Sequence, residues 1–291
     1  GSANTSYFMN AQTADRFGQA QPHDEGMHRA AREENDHPAL VETVFAGFNV
    51  PEADIHCLNY IWLHPNLRLM SGGAWCWRGF VGSQLEADLF DMRDFVPDTA
   101  ITDDGGDLTD VTLPNGYRYQ VVEPLQSIRM TYDDPARGNG FDVTQTAIMP
   151  PAMLPSNRHF DQVMRSTGTL RLRGEEFEVN SYAVRDRSWG EARTEDPAGA
   201  SAIHWLVAVF GDDYAVHVTG LQDPTTAHWR DDFPEDPARA AAMNRGWVWR
   251  DGQLLTVTEA RIETEWDTAH RRQAAHRVVA VDETGAEHVL H

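Results

Sequence analysis

The segment from residue 182 to residue 190 carries the densest group of side chains able to do chemistry. Strand alternation divides it into two faces: Tyr182, Val184, Asp186 and Ser188 on one, and Arg185, Arg187 and Trp189 on the other. One hypothesis has Asp186 facing a barrel interior as a general acid or base, tuned by desolvation and a neighbouring arginine. The alternative is a buried ion pair between Asp186 and an arginine, with Trp189 as a core side chain.

A second group of side chains could carry protons to and from that aspartate. Tyr182 is one candidate, and His204 and His217 are two more. The histidines lie on apolar runs that flank Gly211-Asp212-Asp213 and predict a hairpin, about two ladder steps apart. One of them could relay protons to Asp186. The alternative for each is a hydrogen-bonded core histidine with no chemical role.

Aromatic side chains recur at two-residue spacing, which places each pair on one face of a strand. The pairs are Trp75 with Trp77, Trp247 with Trp249, and Tyr60 with Trp62. Two indoles on one face favour a planar ligand stacked against them, although packing between domains or at a barrel bottom would also explain them. Further substrate-binding candidates are Arg185, which could orient an acidic oxygen, together with His159 and Tyr119.

Charge and composition exclude several partners and mechanisms. The chain has 45 acidic and 24 basic residues, a formal net charge of −21. Nucleic acid and anionic membranes require a basic surface, so neither is expected as a partner. Every one of the basic residues is arginine. The absence of lysine excludes Schiff-base, pyridoxal and Walker-type phosphate-loop mechanisms.

Neither a cofactor nor a metal is expected. Cys57 and Cys76 are too few for a disulfide framework or a cysteine-rich zinc site, and the 13 histidines are scattered singly. The sequence has no nucleophile elbow, His-Glu-x-x-His helix or dinucleotide glycine pattern. No apolar run reaches the roughly 18 residues of a membrane span, and no charged-then-apolar leader is present, so a cytoplasmic protein is expected.

Short alternating runs separated by turn signals predict an all-β protein with antiparallel sheets. Three prolines within 150–155 indicate a linker. The expected organisation is a flexible arm over 1–22, a β-barrel-like domain over 23–152 and a second one over 153–291. One short helix is expected within 23–35, where helix formers follow early acidic residues.

The strand that ends in Asp186-Arg187-Ser188-Trp189-Gly190 resembles the signature of the AttH/CrtC-like family, which includes hydroxyneurosporene synthases (carotenoid 1,2-hydratases). The run Arg158–Gln162 leading into Ser166-Thr167-Gly168, and the run Ala74–Gly79, are similar to that family as well. The resemblance implies two lipocalin-like (calycin-like) β-barrel domains packed together with an apolar ligand cavity. It also implies that Asp186 matches the acid of the hydratase branch. Val184 and Arg187 depart from the hydratase pattern, so the substrate is not carried over.

The function expected from these observations is that of a cofactor-independent lyase. It would hydrate, dehydrate or cleave a C–O or C–C bond in a hydrophobic aromatic or terpenoid small molecule, by acid/base chemistry. Two alternatives stay open: a non-catalytic protein that binds lipophilic ligands, and a pericyclase or isomerase that uses the same pocket. A homodimer is an assembly that the sequence leaves open.

Overall fold

The structure is a computed structural model that describes residues 3–10, 17–102, 106–193, 203–221, 245–267, 269 and 272–291. Strands dominate, and every ladder between the described strands is antiparallel, which confirms the all-β prediction. The strands are β1 (Ala3–Asn10), β2 (Leu40–Val50), β3 (Ile55–His64), β4 (Leu69–Arg78), β5 (Leu89–Pro97), β6 (Asp110–Thr112), β7 (Arg118–Glu123), β8 (Ser127–Asp134), β9 (Asn139–Ala147), β10 (Ala152–Met153), β11 (His159–Leu172), β12 (Glu175–Ala192), β13 (Ile203–Gly211), β14 (Tyr214–Leu221), β15 (Arg245–Arg250), β16 (Gln253–Asp267), β17 (Arg272–Asp282) and β18 (Glu287–Leu290).

Helical structure in the described ranges is short and lies between strands. The α-helices are α1 (Arg29–Glu34) and α2 (Thr99–Thr102), and single 3-10 turns cover Pro22–Glu25, Pro51–Ala53 and Gln84–Glu86. The helix expected within 23–35 therefore exists as a 3-10 turn and α1, separated at Gly26. That separation has a physical cause, because the Gly26 carbonyl accepts a hydrogen bond from a buried arginine on β12.

The chain divides into two compact units, at a different place from the one predicted. The large unit is Phe17–Thr194, and the small unit combines Gly1–Arg16 with Glu195–His291. The proline-rich stretch does not separate domains, because the β10 strand within it pairs with β11, and β11 and β12 pair with β9 and β2. The boundary expected between residues 152 and 153 is thereby corrected. Likewise, the arm expected over 1–22 contains β1, which pairs with β16.

The large unit is built on one curved sheet with its core on the inner face. Its strand order is β5-β4-β3-β2-β12-β11-β9-β8-β7-β6, with β10 on β11. Burial along β3 alternates without a break, so that Cys57, Ile61 and Leu63 join the core while Tyr60 and Trp62 lie on the outer face. The interior contains large side chains such as Phe48, Tyr117, Tyr119 and Phe141.

The small unit has its own sheet and its own core. Its order is β13-β14-β15-β16-β17-β18, with β1 on β16. The link between β15 and β16 is Asp251-Gly252, both with positive φ, which is the two-residue turn that an Asp-Gly pair favours in a hairpin. Valines supply most of the buried core, including Val216, Val218 and Val248.

Candidate functional site

The side chains of β12 alternate between two faces as the sequence indicates, but the face expected to point into the barrel points outward. Arg185 and Arg187 are 1% and 0% exposed and point into the large unit, while Asp186 is half-buried on the outer face. The prediction that Asp186 faces the barrel interior is therefore wrong. The cause is that buried acids on distant segments neutralise both guanidinium groups, which makes an arginine-bearing face compatible with burial.

Arg185 lies at the centre of a closed hydrogen-bond network. Its guanidinium donates to Glu25 at 2.7 and 2.9 Å, to Gln162 Oε1 at 2.7 and 3.0 Å, and to the hydroxyl of Tyr119 at 3.2 Å. Burial alone would raise the pKa of Glu25, but the charge and hydrogen bonds of Arg185, with a backbone N–H from Leu125, hold it below its usual value. Arg185 and Tyr119, expected to bind substrate, are thus parts of the interior.

Arg187 forms the second buried ion pair and fixes the N-terminal segment. It donates to Glu42 at 2.9 Å and to the backbone carbonyls of Thr43 at 2.8 Å and Gly26 at 2.7 Å. His28 packs flat on Trp189, with ring centroids 3.9 Å apart, and its Nδ1 lies 2.7 Å from the Glu42 carboxylate. Trp189 is buried here, in agreement with its interpretation as a core side chain.

The outer face of the same sheet brings two carboxylates together. Asp161 on β11 is the direct ladder partner of Asp186 on β12. Direct partners in an antiparallel pair have Cβ atoms about 4.5–5.5 Å apart on the same face. Asp161 is 1% exposed, and its Oδ1 lies 3.0 Å from Nε2 of His159. His159, predicted as a binding residue, is therefore beside the carboxylate pair.

Aromatic rings continue the same row of the sheet. Asp186 is opposite Phe45 on β2, and Phe45 is opposite Tyr60 on β3. The ring centroids of Phe45 and Tyr60 are 5.5 Å apart, and those of Tyr60 and Trp62 are 4.3 Å apart. Burial raises the pKa of Tyr60, and the Asp186 carboxylate raises it further whenever it is ionised, so the phenol stays protonated at neutral pH. We call Asp161, Asp186, Phe45, Tyr60 and Trp62 the acid–aromatic row.

A hydrogen-bonded pair of hydroxyls closes one side of this row. Thr43 Oγ1 and Ser188 Oγ lie 2.6 Å apart, and Arg193 donates to Ser188 at 2.7 Å. Both hydroxyl residues are buried. The Ser188 position of the sequence motif thus ties β12 to β2 next to Asp186.

The other predicted residues of the large unit lie further along the outer face. Trp75 and Trp77 on β4 have ring centroids 4.9 Å apart, and Phe90 meets Trp75 edge-on at 5.8 Å. Trp75 is the ladder partner of Leu58, which is two positions from Tyr60 on β3 and therefore on the same face. Tyr182 is half-buried, with the guanidinium of Arg165 5.9 Å from its ring centroid.

The small unit contains the remaining candidates. His217 is fully buried between Trp205 and Trp247, with 5.4 Å between ring centroids on each side. Its Nδ1 lies 2.9 Å from the Leu206 carbonyl oxygen and its Nε2 2.7 Å from the Thr219 hydroxyl. In the ladder His217 is opposite Val207, whereas His204 is opposite Gly220, so the histidines are three positions apart and not two. A proton relay from either of them to Asp186 stays a prediction.

Asp161 is the residue that the sequence interpretation missed. Asp161 enters the sequence analysis only within the run Arg158–Gln162 of the family resemblance, where His159 alone is a binding candidate, although alternation places His159, Asp161 and Val163 on one strand face. The β11–β12 register, which joins Asp161 to Asp186, was the signal that could have found it. That register follows from the tight Arg173-Gly174 hairpin turn, where both residues have positive φ.

Two open depressions of the large unit, of about 710 and 900 Å³, share Asp142, Gly168 and Thr169, and neither contains a predicted site residue. Among the described residues, no cluster of three or more His, Cys, Asp or Glu side chains has the arrangement to hold a metal ion. No helix in the described ranges has the length and apolar character to cross a membrane.

The architecture is the all-β, lipocalin-like fold of the AttH/CrtC-like proteins that the sequence resembles. The chain belongs to the family described as a domain of unknown function, DUF7064, whose model matches residues 21–291. An AttH-type protein from Nitrosomonas europaea has 13% identity and a TM-score of 0.54, with 96% of each chain covered.

Two further solved structures share the fold. Kievitone hydratase from Nectria haematococca has 11% identity and a TM-score of 0.50, over 94% of this chain and 80% of that one. CghA has 10% identity and a TM-score of 0.51, over 98% and 95%. No curated protein matches the chain in sequence. At these identities the likeness concerns the fold.

Proposed function

We propose that the protein is a cofactor-independent enzyme that adds or removes water, or cleaves a related C–O or C–C bond, in a hydrophobic unsaturated small molecule. The observation that carries this proposal is the acid–aromatic row, in which a pair of opposed carboxylates adjoins the rings of Phe45, Tyr60 and Trp62. Kievitone hydratase, which shares the fold, adds support to a hydratase or a related enzyme.

The paired carboxylates suit proton donation to an apolar substrate. In the proposed reaction Asp186 donates from its protonated form, and the opposed Asp161 carboxylate disfavours a second negative charge on this face. Asp186, half-buried, is the group that meets the substrate, while Asp161, buried and bonded to His159, positions it and supplies the neighbouring charge. General acid catalysis of this kind contributes about 10²–10⁴ to a rate.

The reaction in the hydration direction balances without any further reagent. The Asp186 carboxyl transfers its proton to one alkene carbon, and the electron pair of the double bond forms the new C–H bond. The cation that develops on the other carbon is stabilised by the π faces of Tyr60 and Trp62. Water attacks that carbon and returns one proton to the Asp186 carboxylate, so that the net change is addition of H₂O.

The test compares Asp186→Asn with a matched control, Asp142→Asn. Asp142 lies on the outer face of β9 in an exposed pair with Arg129, away from the acid–aromatic row. Kievitone and a panel of hydrophobic aromatic and terpenoid alkenes and their hydrates serve as substrates, and turnover is read by mass spectrometry as a change of 18 Da. We expect Asp186→Asn to lose at least 100-fold in turnover while its dissociation constant, from tryptophan quenching, changes less than threefold. Equal turnover by Asp186→Asn and the wild type would disprove the assignment.

A carrier of lipophilic ligands is the second candidate function. The observation in its favour is the extent of the aromatic surface, since Trp75 contacts both Trp77 and Phe90 on strands β4 and β5. A carrier binds panel compounds with no 18 Da change in any of them. A pericyclase or isomerase on the same face is distinguished by a product of unchanged mass and by a rate that falls further with Trp62→Leu than with Asp186→Asn.

A further inference from the structure

The two cysteines of the chain lie side by side in the core of the large unit. Cys57 on β3 is the direct ladder partner of Cys76 on β4, in the third pair from the open Ile55–Arg78 end of the hairpin. Directly opposed residues of an antiparallel ladder have Cα atoms about 4.5 or 5.5 Å apart. Both separations fall within the range of about 4.4–6.8 Å that a disulfide spans. The two side chains are buried, and both thiols are free.

We propose that Cys57 and Cys76 are a modification site, at which a low-molecular-weight disulfide such as oxidised glutathione installs a reversible cross-strand disulfide. One cysteine thiolate attacks a sulfur of the reagent and forms a mixed disulfide, with release of one small thiol. The second thiolate attacks the protein sulfur of that mixed disulfide and releases the second small thiol. Two protein thiols are oxidised by two electrons, the reagent is reduced to two thiols, and the protons pass to the departing thiolates.

Burial controls the rate at which this exchange begins. Desolvation, and after it the contact with Cys76, raises the pKa of the Cys57 thiol, so the reactive thiolate is scarce in the closed hairpin. Only two residue pairs separate the cysteines from the open end of the ladder, and β4 is followed by the edge strand β5. Oxidation therefore follows fraying of this end of the hairpin, and mild urea accelerates it.

The disulfide links the open end of a hairpin that carries much of the outer aromatic surface. Tyr60 and Trp62 lie on β3, and Trp75 and Trp77 flank Cys76 on β4. The closed loop runs from residue 57 to residue 76, and a loop of this size shifts the unfolding equilibrium by about 200-fold toward the folded state. The thiol pair and its oxidation are independent of the reaction at Asp186.

The experiment follows the thiols of the full-length protein from both the folded and the unfolded side. Reduced protein is incubated with oxidised glutathione, quenched in acid, denatured and alkylated with N-ethylmaleimide. In parallel, urea-unfolded protein is refolded in a buffer of reduced and oxidised glutathione, so that access to the thiols does not limit the result. We expect both routes to give a monomer 2 Da lighter that takes up no maleimide, and we expect dithiothreitol to restore two alkylated thiols.

Single variants supply the control. Cys57→Ala and Cys76→Ala retain one thiol each, and we expect them to end as a glutathione adduct or a free thiol, with no 2 Da loss. Refolded wild-type protein that keeps two free thiols, or that carries only glutathione adducts, while circular dichroism shows a native fold, overturns the proposal. So does an oxidised form whose urea unfolding coincides with that of the reduced form.

Discussion

Replacement of Glu25 by glutamine tests whether Arg185 serves the fold or a substrate. The Arg185 guanidinium is 1% exposed and donates to Glu25 at 2.7 and 2.9 Å. Opposite charges at this range attract by about 4 kcal/mol at an effective dielectric constant of about 20. Glutamine removes the negative charge and directs an amide N–H toward the guanidinium, so the buried cation loses its counterion. Removal of one partner of a buried ion pair lowers the free energy of unfolding by about 3–5 kcal/mol.

The measurement is urea unfolding followed by tryptophan fluorescence, with hydrogen exchange across β12 as a local readout. At a slope of about 2 kcal/mol per molar urea, a loss of this size lowers the midpoint by about 2 M. The matched control is Glu175→Gln, because Glu175 accepts from Arg78 at the same 2.9 Å but in a pair with 59% and 38% exposed side chains. We expect Glu175→Gln to lower the free energy of unfolding by about 1 kcal/mol or less.

A second variant and the pH dependence of stability test whether the loss of stability in Glu25→Gln comes from the missing charge. Glu25→Leu combined with Arg185→Met removes both ions and is expected to recover most of the lost stability. The pKa of Glu25 is lowered in the folded state, so its contribution is complete above the usual value of 4.5 and is lost as pH falls through the folded value. Glu25→Gln should therefore flatten the acid limb of the stability profile. Equal midpoints for Glu25→Gln and Glu175→Gln would refute the reasoning.

Three further substitutions test the sheet and its outer face. Gly73 has a φ of +150°, and a Cβ there would meet a backbone carbonyl of β5, so Gly73→Ala is expected to lower the free energy of unfolding in urea by about 3 kcal/mol or more. Gly116 has a φ of +88° with open space around it, so Gly116→Ala should lower it by only about 1–2 kcal/mol. Thr43→Val leaves the buried hydroxyl of Ser188 without its 2.6 Å partner and should lower the unfolding free energy by about 1–3 kcal/mol. Trp62→Leu should weaken binding of a planar aromatic probe by about 2–10-fold in fluorescence titration, with an unchanged urea midpoint.

Local sequence rules were sufficient to predict the strands and which of their side chains share a face. In β3 the alternation of buried and half-buried residues from Ile55 to His64 matches the faces expected from the letters alone. The Asp251-Gly252 turn is likewise a property of two adjacent residues. Both features depend on contacts within a few residues, which is the range over which propensity and turn chemistry act.

The orientation of β12 could not be obtained in this way, because the groups that decide it are distant in the chain. Glu25 is 160 residues from Arg185, and Glu42 is 145 residues from Arg187. Without those acids, the rule that arginine faces solvent selects the wrong face. The domain boundary was misplaced for the same reason. The prolines near residue 150 are locally typical of a linker, but the pairing of β10 with β11 keeps this stretch within the large unit.

Because side chains alternate along β12, the residues that hold the strand in place lie on one face and the proposed proton donor lies on the other. Arg185 and Arg187 are fixed from the inside by acids, amides and backbone carbonyls, so the residue between them is held by a rigid backbone. Asp186 contributes none of those inner contacts because its side chain points to the other face. A change at Asp186 should therefore alter proton transfer with little effect on folding, whereas a change at Arg185 lowers activity only as far as it unfolds the protein. The ratio of activity lost to stability lost, measured for both positions, separates a reacting group from its framework.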